Sequence, residues 1–310
     1  MIHLPVFSLI AAMLLWASSF IVLKLSFQYY HPIWVIFGRM VVASLVFAFW
    51  IPTFRRIRFR KADIPILAAM ALCEPCLYFL LEANALKNTS ASQAGLITTF
   101  MPLLVTLGAF LFFGERMSKR ALAGLCIAVL GVGLLNAGNI STETAPHPLW
   151  GNTLELLAMT CGAAYTLLLK RLSSFYSPFF LTALQAFTGA CFYFPLLFLP
   201  SVPAPAQFTL EGVLSVVYLG LFITIGAYGL YNYGVSRISA GKAVAFINLL
   251  PVLTLFLAWM ILDERMTPLQ YASSALVIFG VLLNQEPQPV DENGWTKKRE
   301  KENGANGQAL

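Results

Sequence analysis

The stretch Phe100-Met101-Pro102, followed thirteen residues after its proline by Glu115-Arg116-Met117, recurs later in the chain. Its second copy is Leu250-Pro251, followed at the same distance by Glu264-Arg265-Met266. The two copies are 149 residues apart and align without a gap. A fixed internal period indicates that one structural unit occurs twice in the chain.

Further pairs extend this repeat over most of the sequence. At the offset of 149 they are Ser90-Ala91 with Ser239-Ala240, Ala94 with Ala243, Ala109 with Ala258 and Gly131-Val132 with Gly280-Val281, and at an offset of 146 they are Lys24 with Lys170 and Pro32 with Pro178. We therefore predict one repeat over residues 6–137 and a second over residues 150–285. Residues 286–310 are polar and charged, which predicts a disordered cytoplasmic tail.

The composition is that of an integral membrane protein. Of the 310 residues, 58% are hydrophobic and 11% are charged, and the mean hydropathy is +0.75. A bilayer core of about 30 Å takes roughly 20 apolar residues per helix. Gly, Pro and short polar clusters divide the chain into ten apolar runs, so we predict an all-α membrane fold with ten transmembrane helices. They lie at about 6–27, 33–51, 63–86, 91–113, 119–137, 150–170, 178–199, 211–234, 241–262 and 267–285.

The distribution of basic residues predicts the orientation in the membrane. Lys and Arg concentrate in short cytoplasmic loops. Sixteen of the twenty lie on one side of the predicted helices and three on the other, so both termini are predicted to be cytoplasmic. Because each repeat holds five helices, the second repeat enters the membrane from the opposite face. Inverted repeats are typical of carriers that alternate access around a midplane site.

Several short motifs follow one another in a fixed order. They are Trp16-Ala17-Ser18-Ser19-Phe20 with Lys24, Arg39, Asn84-Ala85-Leu86-Lys87-Asn88-Thr89-Ser90-Ala91-Ser92, Pro102 with Gly114-Glu115-Arg116, Pro251 with Asp263-Glu264-Arg265, and Gly131 with Gly280. Their order and spacing resemble two consecutive EamA domains of the drug/metabolite transporter superfamily, over about residues 6–285. The resemblance implies a ten-helix carrier with a central substrate cavity, commonly an exporter of amino acids, related metabolites or drugs.

The two repeats differ where that family carries key residues. Cys161-Gly162 stands at the place that matches Trp16, and Gln185 stands opposite Arg39. The halves therefore contribute different chemistry, and we do not expect a symmetric binding site.

Other classes of function have little support in the residues. The sequence has no phosphate-binding Gly-rich loop, and its three histidines are scattered at predicted helix ends. We expect no enzyme, no cofactor, no metal site and no nucleic-acid partner. The expected partners are the lipid bilayer, a small-molecule substrate and the proton as a coupling ion, and the sequence leaves a homodimer open.

Charged residues inside the bilayer are functional candidates because each is costly unless it is paired or faces water. Arg39, Glu82, Lys24 and Glu155 fall at similar depth in the outer third of their predicted helices. One interpretation is a set of ion pairs that fix helix register, with Lys24 reaching the interface along its stem. The other is an outer gate in which Arg39 and Glu82 form an ion pair.

Glu74 differs from this cluster because it lies near the middle of the third apolar run. At 100° per residue, Glu74, Tyr78 and Glu82 share one face of a helix, which we expect to line the cavity. Burial favours the neutral form of a carboxyl group, so a glutamate in that place can carry a proton near neutral pH. The alternative is a permanently protonated residue that bonds to a carbonyl freed by Pro75.

Aromatic, hydroxyl and amide side chains complete the predicted cavity. Such groups hold an apolar body and orient its polar end, although packing alone also explains any single aromatic residue. The candidates are Trp16, Ser19, Phe20, Tyr228, Tyr231 and Asn232 at helical spacing, with Asn84, Gln185 and Asn248. Pro102 and Pro251 are predicted to kink their helices.

These features together predict a secondary transporter that moves a small organic metabolite, such as an amino acid or a related amphipathic compound, outward across a plasma membrane. Two alternatives stay open. A phosphorylated-sugar or nucleotide-sugar exchanger would need several cationic side chains in the cavity. A non-transport membrane protein would not need duplicated, inverted halves.

Overall fold

A computed structural model describes residues 3–57, 60–113, 118–137, 141–143 and 145–284. The first copy of the Glu-Arg-Met motif, at residues 115–117, and the tail at 286–310 lie outside the described residues. The regular secondary structure of the described part is helical, apart from an isolated bridge between Thr142 and Ala145.

Fifteen α-helices occur in the described residues, and they divide at the boundary between the two sequence repeats. The first group is α1 (His3–Ser26), α2 (Pro32–Ala48), α3 (Ile51–Phe54), α4 (Ile64–Ala71), α5 (Tyr78–Asn88), α6 (Ala91–Ile97), α7 (Phe100–Phe113) and α8 (Lys119–Ala137). The second group is α9 (Pro148–Leu172), α10 (Pro178–Leu196), α11 (Leu210–Tyr218), α12 (Tyr228–Arg237), α13 (Ala240–Ala245), α14 (Leu249–Leu262) and α15 (Pro268–Asn284).

Eight helical segments of the described chain are long and apolar enough to cross a membrane, by length and composition. Two further apolar helices, Pro32–Ala48 and Pro268–Leu283, are shorter. A chain with this many apolar helices is a multi-pass membrane protein.

Two of the predicted transmembrane helices contain a π-helical turn near the middle. The run predicted over 63–86 contains a π-helical turn at Leu72–Leu77 between α4 and α5, and the run over 211–234 contains another at Leu219–Ala227 between α11 and α12. The two breaks occupy equivalent places in the two sequence repeats. Helix interruptions within a bilayer persist only where other groups satisfy the freed backbone.

Side chains of α10 bond to backbone carbonyl groups of the first break. Glu74 has an extended backbone there (φ −150°, ψ 118°), so the local helical hydrogen bonds are lost. The Tyr193 hydroxyl lies 3.2 Å from the Pro75 carbonyl oxygen and 2.6 Å from that of Cys76, and the Gln185 amide donates to the Glu74 carbonyl at 3.4 Å. In the second break the Thr224 hydroxyl donates to the Leu219 carbonyl at 3.0 Å.

The runs predicted over 91–113 and 241–262 are also divided, each near its proline. A turn separates α6 from α7, and a 3-10 turn at Phe246–Asn248 separates α13 from α14. Pro102 and Pro251 lie in the first turns of α7 and α14, where a missing backbone N–H costs little.

Glycines bring the final helices of the two repeats into close contact. A Cβ atom on Gly131 of α8 would lie 2.9 Å from the Val277 backbone nitrogen. One on Gly280 of α15 would lie 2.6 Å from both the Gly124 carbonyl oxygen and the Ala128 nitrogen. Small residues at a helix contact allow backbones to approach and gain van der Waals energy within a membrane. Gly131 and Gly280, which match in the sequence repeat, therefore both allow α8 and α15 to pack closely.

Helix α1 lies at the centre of the fold. It packs against α12, α14, α6 and the second break, and it buries Leu9, Met13 and Ala17 completely. The two breaks and α1 thereby surround one central space.

Candidate functional site

The central space is a small pocket of about 30 Å³. Nine residues that we predicted from the sequence line it: Trp16, Ser19, Phe20, Arg39, Glu74, Tyr78, Glu82, Tyr228 and Tyr231. They come from α1, α2, the first break, α5 and α12, so the fold brings together residues more than 200 positions apart.

Glu74 lies at this pocket because the first break turns its backbone out of the helix. Its side chain is 3% exposed and accepts a hydrogen bond from the Tyr228 hydroxyl at the start of α12. Both residues come from interrupted segments at equivalent places in the repeats, so each repeat supplies one partner of this bond. A carboxyl group held in that way offers a proton or a hydrogen-bond acceptor to a bound molecule.

Arg39 of α2 is the cationic side chain among the described residues that line the pocket. It is 1% exposed, and its Nε donates to the Thr224 hydroxyl in the second break at 3.1 Å. Its guanidinium carbon lies 4.1 Å from the centre of the Phe79 ring. Contact with a ring face stabilises a cation that has left water.

The predicted direct ion pair between Arg39 and Glu82 is wrong for this structure, because no such contact occurs among the described residues. Thr224 and Phe79 hold the guanidinium, and Glu82 accepts from the Tyr78 hydroxyl at 3.0 Å. Tyr78 and Glu82 lie one turn apart on α5, so the bond follows directly from helix geometry.

Aromatic rings form the wall of the pocket. Trp16 of α1 lies 5.1 Å from Tyr228 and 4.8 Å from Tyr231, measured between ring centroids. Its indole N–H is buried and has no hydrogen-bond partner among the described residues. The pocket thus combines apolar ring faces with one guanidinium and two carboxyl groups, a pattern that suits a small amphipathic ligand.

The predicted amides Gln185 and Asn232 lie outside the pocket lining. They form a buried network behind it, in which the Asn232 amide donates to Thr182 at 2.9 Å and to Gln185 at 3.2 Å, and the Tyr165 hydroxyl bonds to Asn232. Tyr165 itself lines the pocket, so the hydrogen bonds of these amides hold a pocket residue in position.

The remaining predicted residues lie farther from the pocket. Asn84 is exposed and bonds to the Leu80 carbonyl at 2.7 Å, so it stabilises its own helix. Both amide atoms of Asn248 are buried without a hydrogen-bond partner among the described residues. Glu155 is fully buried in α9 and does not line the pocket.

Sequence reasoning missed two residues that act on Arg39. Phe79 is one of twenty-five phenylalanines, and nothing in its sequence neighbourhood distinguishes it. Thr224 did carry a signal, since it is a polar residue within the apolar stretch Leu219–Ala227, one helical turn before Tyr228.

The size of the pocket limits what it can hold in this conformation. The space open to the centres of water-sized molecules is about 30 Å³, so the pocket is narrow between its side chains.

Relatives and solved structures agree with this architecture. The chain is 28% identical over 283 residues to the uncharacterized transporter YetK of Bacillus subtilis, covering 89% of this chain and 85% of that one. It is also 28% identical over 280 residues to a probable terminal-alkyne amino-acid exporter of Streptantibioticus cattleyicolor, covering 90% of this chain and 92% of that one. One solved crystal structure shares the fold with a TM-score of 0.62 at 20% identity, over 91% of this chain and 96% of that one.

The model of the EamA-like transporter family matches twice, over residues 3–137 and 149–284. The two matches cover both groups of helices and end where each group ends. The chain therefore belongs to the EamA-like transporter family.

Proposed function

We propose that this protein is a secondary transporter that exports a small zwitterionic or weakly charged amphipathic metabolite, of the amino-acid type, by alternating access. The observation that carries this proposal is the central pocket, where Arg39, Glu74 and Glu82 lie among aromatic rings. A guanidinium suits a substrate carboxylate, and the carboxyl groups suit an ammonium group. A relative is named as a probable exporter of an amino acid, which supports the same class.

The proposed architecture has ten transmembrane helices in two inverted repeats, with both termini in the cytoplasm of a plasma membrane. Eight long apolar helices and two shorter ones support the number. The excess of basic residues on one side supports the orientation. The two central breaks lie at equivalent places in the repeats, as expected where discontinuous helices build a midplane site.

Single cysteines in a cysteine-free background test the orientation. A cysteine at the exposed position Gln207 should react with an impermeant reagent in intact cells, whereas one at exposed Ser174 should react only after permeabilisation. The reverse pattern would overturn the orientation, and labelling of both sites in intact cells would show that α10 does not cross the membrane.

The exchanger alternative predicts a different pocket. Phosphorylated sugars and nucleotide sugars carry two or more negative charges, whereas Arg39 is the one cation among the described pocket residues. Two carboxyl groups in the same space would repel such ligands.

Ligand-induced stabilisation of the purified protein tests the substrate class. A ligand that binds only the folded state raises the unfolding temperature, by an amount that grows with its concentration relative to its dissociation constant. We expect amino acids or their analogues to raise it and sugar phosphates to leave it unchanged. A response limited to sugar phosphates or nucleotide sugars would replace the proposal with the exchanger.

We further propose Glu74 as the group that couples transport to protons, because it lies in the pocket and bonds to Tyr228 from the other repeat. In proteoliposomes supplied with the responsive ligand, Glu74→Gln should transport without dependence on a pH gradient, since the amide keeps the shape of the protonated acid. Gradient-driven transport equal to that of the parent would exclude this role.

A further inference from the structure

Glu155 of α9 is a buried carboxyl group outside the pocket. Its side chain has no solvent exposure, and neither of its oxygens has a hydrogen-bond partner among the described residues. An ionised carboxylate in that place would be strongly unfavourable, so the side chain needs either a proton or a partner charge.

Helix α5 packs along α9, and its residues Glu82 and Tyr78 lie within electrostatic range of Glu155. Arg39 of α2 lies within electrostatic range of Glu82. Helices α8, α12 and α13 also contact α9, and their charged residues are Lys119, Arg120, Arg237 and Lys242. Glu74 of the first break is engaged with Tyr228, and helices α4, α6 and α7 carry no titratable residue. Two carboxyl groups that share a buried space cannot both be ionised at low cost, so they hold at least one proton between them.

A network of polar side chains lies between Glu155 and one end of the bundle, without a hydrogen bond to Glu155 itself among the described residues. Asn152 lies one turn away on the same helix, and its amide donates to Gln93 at 2.7 Å and to Asn136 at 2.8 Å. The Thr89 hydroxyl donates to the Asn152 carbonyl oxygen at 2.7 Å. Asn152, Gln93 and Thr89 are all buried, and Thr89 is next to the half-buried Asn88 at the end of α5.

Three of the five residues have apolar counterparts in the other repeat. At the repeat offsets, Leu9 matches Glu155, Val6 matches Asn152 and Ile238 matches Thr89, whereas Gln93 matches Lys242 and Asn136 matches Gln285. Leu9 is completely buried in α1, so an apolar side chain fills the equivalent position. Among these residues, the positions of Glu155, Asn152 and Thr89 are therefore polar in one repeat only.

We propose that Glu155 and Glu82 form a second proton-binding site, separate from Glu74, and that the side chains around Asn152 connect it to the end of the bundle near Asn88. A carboxylate of the pair takes a proton from water at that end and becomes a neutral acid, and it returns the proton when the pair ionises. This inference rests on the proposed transport function, for which such a site would supply a second route for the coupling ion.

Infrared difference spectroscopy of the protein in lipid bilayers tests the site without any transported substrate. Spectra recorded between acidic and alkaline buffers follow protonation through the carbonyl stretch of buried carboxylic acids. Glu155→Gln should remove the band of the pair and keep the band of Glu74, whereas the matched control Glu74→Gln should do the reverse. An unchanged spectrum in folded Glu155→Gln would overturn the proposal.

Glu155→Asp keeps the test decisive if the glutamine variant does not fold. The shorter acid keeps its carbonyl stretch but changes its surroundings, so the band of the pair should shift. A band at the parent position in Glu155→Asp would show that it belongs to another residue and would overturn the proposal.

The connection to the end of the bundle is tested by the rate of proton uptake after a pH jump, followed with a pH-sensitive dye in proteoliposomes. Asn152→Leu should slow uptake several-fold, while Thr153→Leu on the exposed face of the same helix should not. Equal rates in Asn152→Leu and the parent would overturn the proposed route. Because these measurements need no substrate, a failure of the transport proposal in the ligand screen would be distinguishable from a failure here.

Discussion

The first turns of α6 and α13 occupy equivalent places in the two repeats, but the described side chains that bond to them differ. At α6, Glu264 from the second repeat accepts from the Ala91 N–H at 3.0 Å, from the Ser92 N–H at 2.9 Å and from the Ser92 hydroxyl at 2.7 Å. Ser90 caps the same helix by accepting from the Gln93 N–H at 3.1 Å. At α13, no side chain among the described residues caps the helix.

The lysines beside these helix starts differ in the same way. Lys24 lies 3.9 Å from Glu264, so its charge faces a carboxylate. Its repeat counterpart Lys170 donates to the Val235 carbonyl at 2.9 Å and to the Ile238 carbonyl at 2.6 Å, at the end of α12. Glu264 therefore joins the two repeats at one end of the bundle, whereas these two hydrogen bonds of Lys170 at the other end go to the second repeat. Glu115, the counterpart of Glu264, lies outside the described residues.

Loss of the hydrogen bonds that Glu264 makes to the first repeat should have the largest effect on stability. Glu264→Ala would leave the first N–H groups of α6 without an acceptor in a side-chain environment that is only 12% exposed. Lost bonds to a charged acceptor cost about 2–3 kcal/mol, and the midpoint of thermal unfolding in detergent should fall accordingly. Arg265→Ala is the matched control, since its ion pair with Asp263 is exposed and contributes little. A Glu264→Ala variant that melts like the parent would contradict the view that Glu264 stabilises the start of α6.

Loss of Lys170 should have the second-largest effect. Lys170→Met keeps the aliphatic stem but removes two donors to carbonyls at the end of α12, which we expect to cost about 1–2 kcal/mol. The adjacent Arg171 is exposed, so Arg171→Met should change the unfolding midpoint little. Equal shifts in the two variants would mean that charge alone, and not the bonds to Val235 and Ile238, stabilises this end.

Replacement of the serines that precede α6 and α13 should have the smallest effect on stability. Ser90→Ala removes an N-cap and should cost about 1 kcal/mol. Ser239→Ala should change the unfolding midpoint by much less, because the Ser239 side chain makes no capping bond among the described residues. If Ser239→Ala proved the more damaging change, the difference between the two helix starts would be the opposite of the one described.

Much of the fold could be predicted from the sequence because repetition and hydropathy are local, additive signals. The repeat offsets identified Gly131 and Gly280, and both glycines allow the contact between α8 and α15. The helix breaks could not be predicted in the same way. Leu219–Ala227 has no proline, and its Thr224 accepts a hydrogen bond from Arg39, which lies 185 residues away.

The candidate site could also be predicted only in part from the sequence. Charge in an apolar run identified Arg39, Glu74 and Glu82, since each of them is costly to bury. Their contacts were not predictable, because Tyr228 was a candidate for the cavity but not for the bond to Glu74, and Phe79 looks like any other phenylalanine until the chain is folded. Glu264 was visible only as part of a repeated motif, and its bonds to Ala91 and Ser92 depend on a contact across the two repeats.

The glycine contact between α8 and α15 also has a consequence for biosynthesis. The ribosome makes α8 long before it makes α15, and the two faces that meet at Gly131 and Gly280 are 149 residues apart in the chain. At about 5–20 residues per second, the face of α8 waits roughly 7–30 s for its partner. During that interval lipid or an insertion factor must cover a surface of small residues that cannot bury itself. The last helix to enter the membrane thus completes the packing of the first half.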